Sequence, residues 1–272
     1  MSVHTGVKKV TVPRVIAMKA RGEKIAALTA YDVLMAEMLD ESGIDIVLVG
    51  DSAAMVMQGQ ESTLPITMEE MLMYTRNVRR GLKRALLVAD MPFLSYQCSM
   101  EEAIRNAGRF LKEGGAEAVK IEGGQPVAEL VHRLVDYGIP VMGHLGLIPQ
   151  SIHKFGGYSL QGKESAAAKQ LKRDAKLLEE AGAFSIVLEK IPAGLAAEIT
   201  ASVKIPTIGI GAGPHCDGQI LVSQDMLGIF DKFRPRFVRR YAELGQSMRE
   251  AFRRYVTDVK NVQFPSAEES FE

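Results

Sequence analysis

Five short apolar runs in this chain end in an ionisable side chain, and all five belong to one stretch of sequence. They read Val49-Gly50-Asp51-Ser52, Val88-Ala89-Asp90, Val119-Lys120-Ile121-Glu122, Gly143-His144 and Leu188-Glu189-Lys190. If each run is a strand of one parallel sheet, Asp51, Asp90 and Glu122 converge on one rim. Three carboxylates so placed repel one another unless a cation sits between them. An all-oxygen set selects a hard ion, Mg²⁺ or Mn²⁺. Taken singly, each acid also reads as a helix cap or the partner of a nearby base. Lys120 and Glu122 are two apart and therefore share one face of their strand. A buried lysine there either pairs with an acid or receives an anionic substrate. Glu189 closes the apolar run Ile186-Val187-Leu188. A carboxylate between apolar walls is held up towards neutrality, which suits a general base. A pair with Lys190 is the other reading, although strand neighbours face opposite ways. His144 is open between a ligand, an acid and a core histidine, and the residues alone favour the core.

These groups need elements to position them. Apolar, β-branched runs predict eight strands, at 25–31, 45–50, 86–90, 118–122, 141–144, 185–189, 207–210 and 220–222. Helical periodicity between them falls at 33–42, 68–80, 100–113, 127–137, 165–181 and 195–202, with a helix at 13–21 before and a long closing helix at 235–256. Gly43, Gly81, Gly114, Gly138 and Gly182 stand where left-handed C-terminal caps belong. Alternating strand and helix implies right-handed crossovers and a parallel sheet. Eight strands predict a closed (β/α)₈ TIM barrel, whose strand C-termini form the active face. An open doubly wound sheet is the runner-up, but the glycine fingerprint after the first strand is missing. The reading is one barrel domain over residues 1–260 and a polar tail, 261–272, expected to fray. Two connections, 51–67 and 146–164, are long enough to lie over an active site. Gly209-Ile210-Gly211-Ala212-Gly213 ends the seventh strand, where it serves either as a phosphate cradle or as a tight turn.

Composition removes several function classes. The chain has 272 residues with 33 Lys plus Arg against 33 Asp plus Glu, so no net field draws a polyanion or an anionic membrane. Tryptophan is absent and aromatics make up 6%, too few for a platform that stacks nucleic acid bases. No apolar stretch is long enough to span a bilayer, and the first ten residues lack a secretory apolar core. Cys98 and Cys216 have neither disulfide-scaffold nor metal spacing. The expectation is a soluble, cytoplasmic protein acting on small molecules, without nucleic acid or membrane partners.

Several stretches resemble the ketopantoate hydroxymethyltransferase family. They are Thr29-Ala30-Tyr31-Asp32, Val49-Gly50-Asp51-Ser52, Val88-Ala89-Asp90-Met91-Pro92-Phe93, Val119-Lys120-Ile121-Glu122-Gly123-Gly124 and Gly143-His144-Leu145-Gly146-Leu147. Gly156-Gly157-Tyr158, Gln161-Gly162-Lys163, Leu188-Glu189, and Gly209-Ile210-Gly211-Ala212-Gly213 with Cys216-Asp217-Gly218-Gln219 continue the likeness in order along nearly the whole chain. The resemblance implies a barrel of the phosphoenolpyruvate/pyruvate superfamily and a homo-oligomer, typically a decamer. It implies transfer of a one-carbon unit from 5,10-methylenetetrahydrofolate to 3-methyl-2-oxobutanoate, giving 2-dehydropantoate and tetrahydrofolate on the route to pantothenate. It implies that Asp51, Asp90 and Glu122 hold or orient one Mg²⁺ per subunit, with Asp51 and Asp90 also beside the substrate. Ser52 and Lys120 would bind the oxo acid, Glu189 would accept its proton, and His144 would line the site. The family often carries His-Asp where this chain has Gln224-Asp225. Two rivals remain. One is another Mg²⁺-dependent enolate enzyme of the superfamily, such as a carbon–carbon lyase, which generally needs a reactive loop cysteine. The other is a non-enzymatic barrel that merely binds ligands.

Overall fold

The computed structural model describes residues 8–231 and 234–271. They divide into two compact units, one running to Val222 and one starting at Ser223.

The first unit is a closed barrel of eight parallel strands in sequence order, β1 (Ile25–Thr29), β2 (Ile46–Val49), β3 (Leu86–Asp90), β4 (Ala118–Glu122), β5 (Val141–Gly146), β6 (Ser185–Glu189), β7 (Thr207–Ile210) and β8 (Gly218–Leu221). The helices of this unit are α1 (Val12–Ala20), α2 (Val33–Glu41), α3 (Ala53–Val56), α4 (Met68–Gly81), α5 (Met100–Arg109), α6 (Ala128–Asp136), α7 (Ile152–Phe155), α8 (Ser165–Glu180) and α9 (Ala193–Ser202). The period of two along each strand separates two apolar cores. Ile46, Leu48, Leu86, Val88, Ala118, Met142, Val187 and Ile208 pack together inside the ring, with Val10, Val15 and Met18 of the N-terminal segment. Val47, Val49, Leu87, Ala89, Val119, Ile121, Ile186 and Leu188 pack outwards among helix side chains such as Leu72, Leu134 and Leu178. Lys19 Nζ donates to the Thr200 and Ile205 carbonyls and meets Asp217 at 3.0 Å, which fastens α1 at the strand N-termini.

Continuing the inner line upward in steps of two gives Asp90 above Val88, Lys120 and Glu122 above Ala118, His144 above Met142, and Glu189 above Val187. The parity that builds the core therefore also aims these groups into the barrel mouth. Strand β5 runs two residues beyond its predicted end, so His144 stands within a strand, and Gly146 pairs with Glu189. Gly146 has φ +96°, and a Cβ there would fall 2.2 Å from the Glu189 carbonyl oxygen, so only glycine fits.

Three expectations shift for physical reasons. Gly81 is not a left-handed cap. It ends α4 where a Cβ would lie 2.6 Å from the Val33 carbonyl oxygen, so its role is the close approach of α2 and α4. After α5 the backbone widens into a π-helical turn, Phe110–Gly114, and Gly115 rather than Gly114 takes the left-handed cap with φ +73°. β8 begins at Gly218, which carries no apolar signal but must be glycine because Ile25 O would lie 2.5 Å from a Cβ.

The second unit holds α10 (Ser223–Met226) and α11 (Leu244–Lys260). The closing helix starts later than its predicted 235–256. Backbone N–H groups of Tyr241, Leu244 and Gly245 donate instead to Met226, Leu227 and Gly228. In the tail expected to fray, Ser266 caps a 3₁₀ turn, Ala267–Glu269, through a reciprocal bond with Glu269.

Candidate active site

Every residue expected at the rim lies at the C-terminal mouth of the barrel. Asp51, Asp90, Lys120, Glu122 and His144 are all buried, and Glu122, the most exposed of them, is only 5% exposed. Register brings them together, with Asp90 opposite Lys120 and Glu122 opposite His144 on neighbouring strands. Lys120 Nζ makes an ion pair with Asp90 Oδ1 and lies 3.8 Å from Glu122 Oε1. It is also 3.3 Å from His144 Nδ1. His144 bridges two acids, with Nδ1 3.2 Å from Glu122 Oε1 and Nε2 3.2 Å from Glu189 Oε2. The surround of Glu189 is therefore an imidazole, not the apolar walls expected. Its side chain is 15% exposed, more open than that of His144. Lys190 turns away at φ +48° and donates to the Tyr158 carbonyl, so it does not neutralise Glu189.

Asp51 and Ser52 lie just past β2, where Gly50 occupies the inner line. A Cβ at Gly50 would sit 2.8 Å from Ser52 Oγ and 3.5 Å from Asp90 Oδ2, so a side chain there would crowd both groups. Ser52 Oγ shares a 2.8 Å hydrogen bond with the buried Tyr31 hydroxyl. Asp90 Oδ2 accepts from the Asp51 N–H at 3.1 Å.

Electrostatics sort these acids. Burial, reinforced by Asp90 and Glu122, pushes the Asp51 carboxyl well above the usual carboxylate range. Burial also raises Asp90, against the pull of Lys120. Glu122 goes the other way. Burial opposes its charge, but His144, Lys120 and a backbone N–H together hold it below the ordinary value. Lys120 stays charged because Asp90, Glu122 and Asp51 outweigh its desolvation. Burial and Lys120 work against an imidazolium, yet the adjacent Glu122 and Glu189 carboxylates lift His144 to about 9. The cluster is short of positive charge: Asp51, Asp90, Glu122 and Glu189 face only Lys120 and His144.

Sequence reasoning missed the residues that hold this cluster. Gln150, in the 3₁₀ turn Pro149–Ser151, donates Nε2 to Asp51 Oδ2 at 3.0 Å and to the Met91 carbonyl at 2.9 Å. Its own N–H donates to Glu122 Oε2 at 3.0 Å. Tyr96 donates its hydroxyl to Gln150 Oε1 at 2.8 Å. The available signal was only the length of the connection after β5. Among the glycines after β7, Gly213 lies so close to α9 that a Cβ there would strike Ala193 Cβ at 2.4 Å. Cys98 is exposed and Cys216 buried, both as free thiols.

The family model described as ketopantoate hydroxymethyltransferase matches residues 9–267. The chain belongs to this family. A relative from Syntrophus aciditrophicus (strain SB), named 3-methyl-2-oxobutanoate hydroxymethyltransferase, is 57% identical over 271 residues and covers 100% of both chains. One of the same name from Prosthecochloris aestuarii (strain DSM 271 / SK 413) is 58% identical, covering 96% of each. Among solved structures, a phosphonopyruvate hydrolase in complex with oxalate and Mg++ superposes with TM-score 0.62 at 14% identity, covering 95% of this chain and 93% of that one. A 2,3-dimethylmalate lyase of the PEP mutase/isocitrate lyase superfamily superposes with TM-score 0.60 at 16% identity, covering 96% and 91%. At such identities the solved structures share the fold alone. This member of the ketopantoate hydroxymethyltransferase family thus carries the mouth on a closed eight-stranded barrel. No described helix is long and apolar enough to cross a membrane.

Proposed function

We propose that this chain transfers a hydroxymethyl group to 3-methyl-2-oxobutanoate, with 5,10-methylenetetrahydrofolate as donor, giving 2-dehydropantoate and tetrahydrofolate for pantothenate synthesis. The observation that carries the reading is the buried set of Asp51, Asp90, Lys120, Glu122 and His144, with Glu189 at its open edge, in a chain matched along its length by this family.

The cluster fits one divalent cation. Four carboxylates face Lys120 and His144, and burial raises Asp51 and, against its ion pair with Lys120, Asp90. Among the described residues no three His, Cys, Asp or Glu side chains are already gathered in ligand geometry. Glu122 is engaged by His144, Lys120 and the Gln150 N–H. Asp51 and Asp90 would therefore hold the ion, as suits Mg²⁺ bound through one or two carboxylates, and Glu122 would orient its surroundings. When bound, the dication supplies Lewis-acid polarisation of the 2-oxo acid's oxygens.

The chain's own groups do the rest. Lys120 and Ser52 receive the oxo-acid oxygens, and Lys120 stabilises the negative charge that develops there. Glu189 removes the C3 proton, and His144 fixes its carboxylate towards the pocket. The resulting carbon nucleophile bonds to the one-carbon unit, and the oxygen of a water takes the other new bond to that carbon. Both of that carbon's bonds to folate nitrogen break, and the C3 proton and one water proton go to those nitrogens as tetrahydrofolate leaves. The connection 146–164 closes over the mouth to keep bulk water from the enolate. The protein works in the cytoplasm as a homo-oligomer, a decamer by family likeness. Apolar side chains exposed on α11, among them Met248, Phe252 and Tyr255, support assembly.

The test is product formation from the oxo acid, the folate donor and Mg²⁺. Wild-type protein yields 2-dehydropantoate, and Asp90→Ala keeps its circular dichroism but loses activity by at least about 100-fold. Metal-independent turnover at the wild-type rate by Asp90→Ala would contradict the assignment.

A further inference from the structure

Gln150 is buried at 6% exposure and uses every hydrogen-bonding position of its carboxamide. Its two amide hydrogens go to Asp51 Oδ2 and the Met91 carbonyl. Its oxygen accepts from the Tyr96 hydroxyl at 2.8 Å and from Gln97 Nε2 at 3.3 Å. Two acceptors on one side and a phenol on the other fix the orientation of the amide. The backbone N–H of the same residue holds Glu122 Oε2. One residue from the connection after β5 thereby restrains an acid after β2 and an acid on β4, and it also ties down the turn after β3. Tyr96 holds the knot from below, its oxygen also 3.3 Å from the Glu122 N–H. A loop anchor would need one or two such bonds to any buried acceptor. Here one bond ends on Asp51, the acid read above as a holder of the cation.

We propose that Gln150, held in turn by Tyr96, is a positioning residue that fixes the Asp51 carboxylate for a divalent cation. The inference rests on the reading of Asp51 and Asp90 as the cation's holders. An outer hydrogen bond of this kind sets the direction of a ligating carboxylate, and its loss weakens metal binding without removing a ligand. Gln150→Leu keeps much of the volume and the backbone N–H to Glu122 but releases Asp51. Tyr96→Phe leaves Gln150 in place and removes the hydroxyl that orients it, along with a longer contact to the Glu122 N–H.

The experiment is titration of Mn²⁺ by electron paramagnetic resonance into wild type, Gln150→Leu, Tyr96→Phe, the double variant and Asp90→Ala, without substrate. Gln150→Leu should weaken Mn²⁺ binding by about 10–100-fold. Tyr96→Phe should weaken it less, and the double variant should match Gln150→Leu, because Tyr96 acts through Gln150. Wild-type affinity in Gln150→Leu, with binding abolished in Asp90→Ala, would overturn the inference and leave the metal site standing. Equal binding by wild type and Asp90→Ala would overturn both. If Gln150→Leu does not fold, Tyr96→Phe decides, and unchanged affinity there also overturns the proposal.

Discussion

Ser52 and Tyr31 set the finest scale at which the site can be tested. Their 2.8 Å hydrogen bond is partly buried and joins the turn after β2 to the segment after β1. Tyr31→Phe removes one hydroxyl from a closely packed ring and leaves the ring in place. A hydrogen bond of this type is worth about 0.5–1.5 kcal/mol, so KM for the oxo acid should rise about two- to tenfold with kcat little changed. An unchanged KM would show that Ser52 does not depend on Tyr31 for its orientation. Residues of this scale differ sharply in how legible they were. Asp90, Lys120, Glu122 and Glu189 announced themselves because a charge at the end of an apolar, β-branched run has few reasons to be there. Gln150 and Tyr96 gave no such signal. Gln150 meets Asp51 across 99 residues of chain, and only the closed barrel brings that pair together.

Elements position these side chains, and Gly146 is where strand geometry and chemistry meet. It carries β5 past His144 and lets the chain turn directly above the Glu189 backbone. Gly146→Ala imposes a Cβ on a left-handed backbone and drives it into a carbonyl oxygen that cannot move without shifting β6. The variant should lose about 2 kcal/mol or more, read from its denaturant midpoint, and its remaining activity should fall further than its folded fraction. A midpoint equal to wild type would mean that the turn relaxes freely. Strand and helix alternation was readable because each strand needs an apolar outward face and each helix an apolar stripe. The glycines were not readable in detail. Gly81, Gly115 and Gly218 answer to contacts with α2, the π turn and β1, and a sequence pattern alone does not distinguish a cap from a close approach.

At the scale of the whole molecule, closure of eight strands removes sheet edges and leaves one mouth on which five strands converge their polar ends. The second unit adds its own pH dependence. Burial lifts the Asp225 carboxyl from 3.8 to about 6, with Arg240 pulling the other way. Between these values the folded chain retains a proton that the unfolded chain releases, so this group's contribution falls as pH rises through that window. Above it the penalty is complete. Asp225→Asn should therefore raise the unfolding midpoint at pH 7.5 and lose its advantage below pH 4. The gain should stay under about 1 kcal/mol, because the carboxyl is partly wetted. A variant no more stable than wild type at pH 7.5 would assign the carboxylate a compensating partner.

Proton exchange at C3 of 3-methyl-2-oxobutanoate isolates the step on which the whole account depends, because it needs neither folate nor carbon–carbon bond formation. Nuclear magnetic resonance in deuterium oxide follows it directly. Wild-type protein with Mg²⁺ should exchange the proton. Glu189→Gln keeps the shape of the side chain beside His144 but cannot accept a proton. It should bind metal and oxo acid nearly normally and lose exchange and turnover together, by about 10²–10⁴-fold. Exchange by Glu189→Gln at the wild-type rate would contradict the account and move the base to another group.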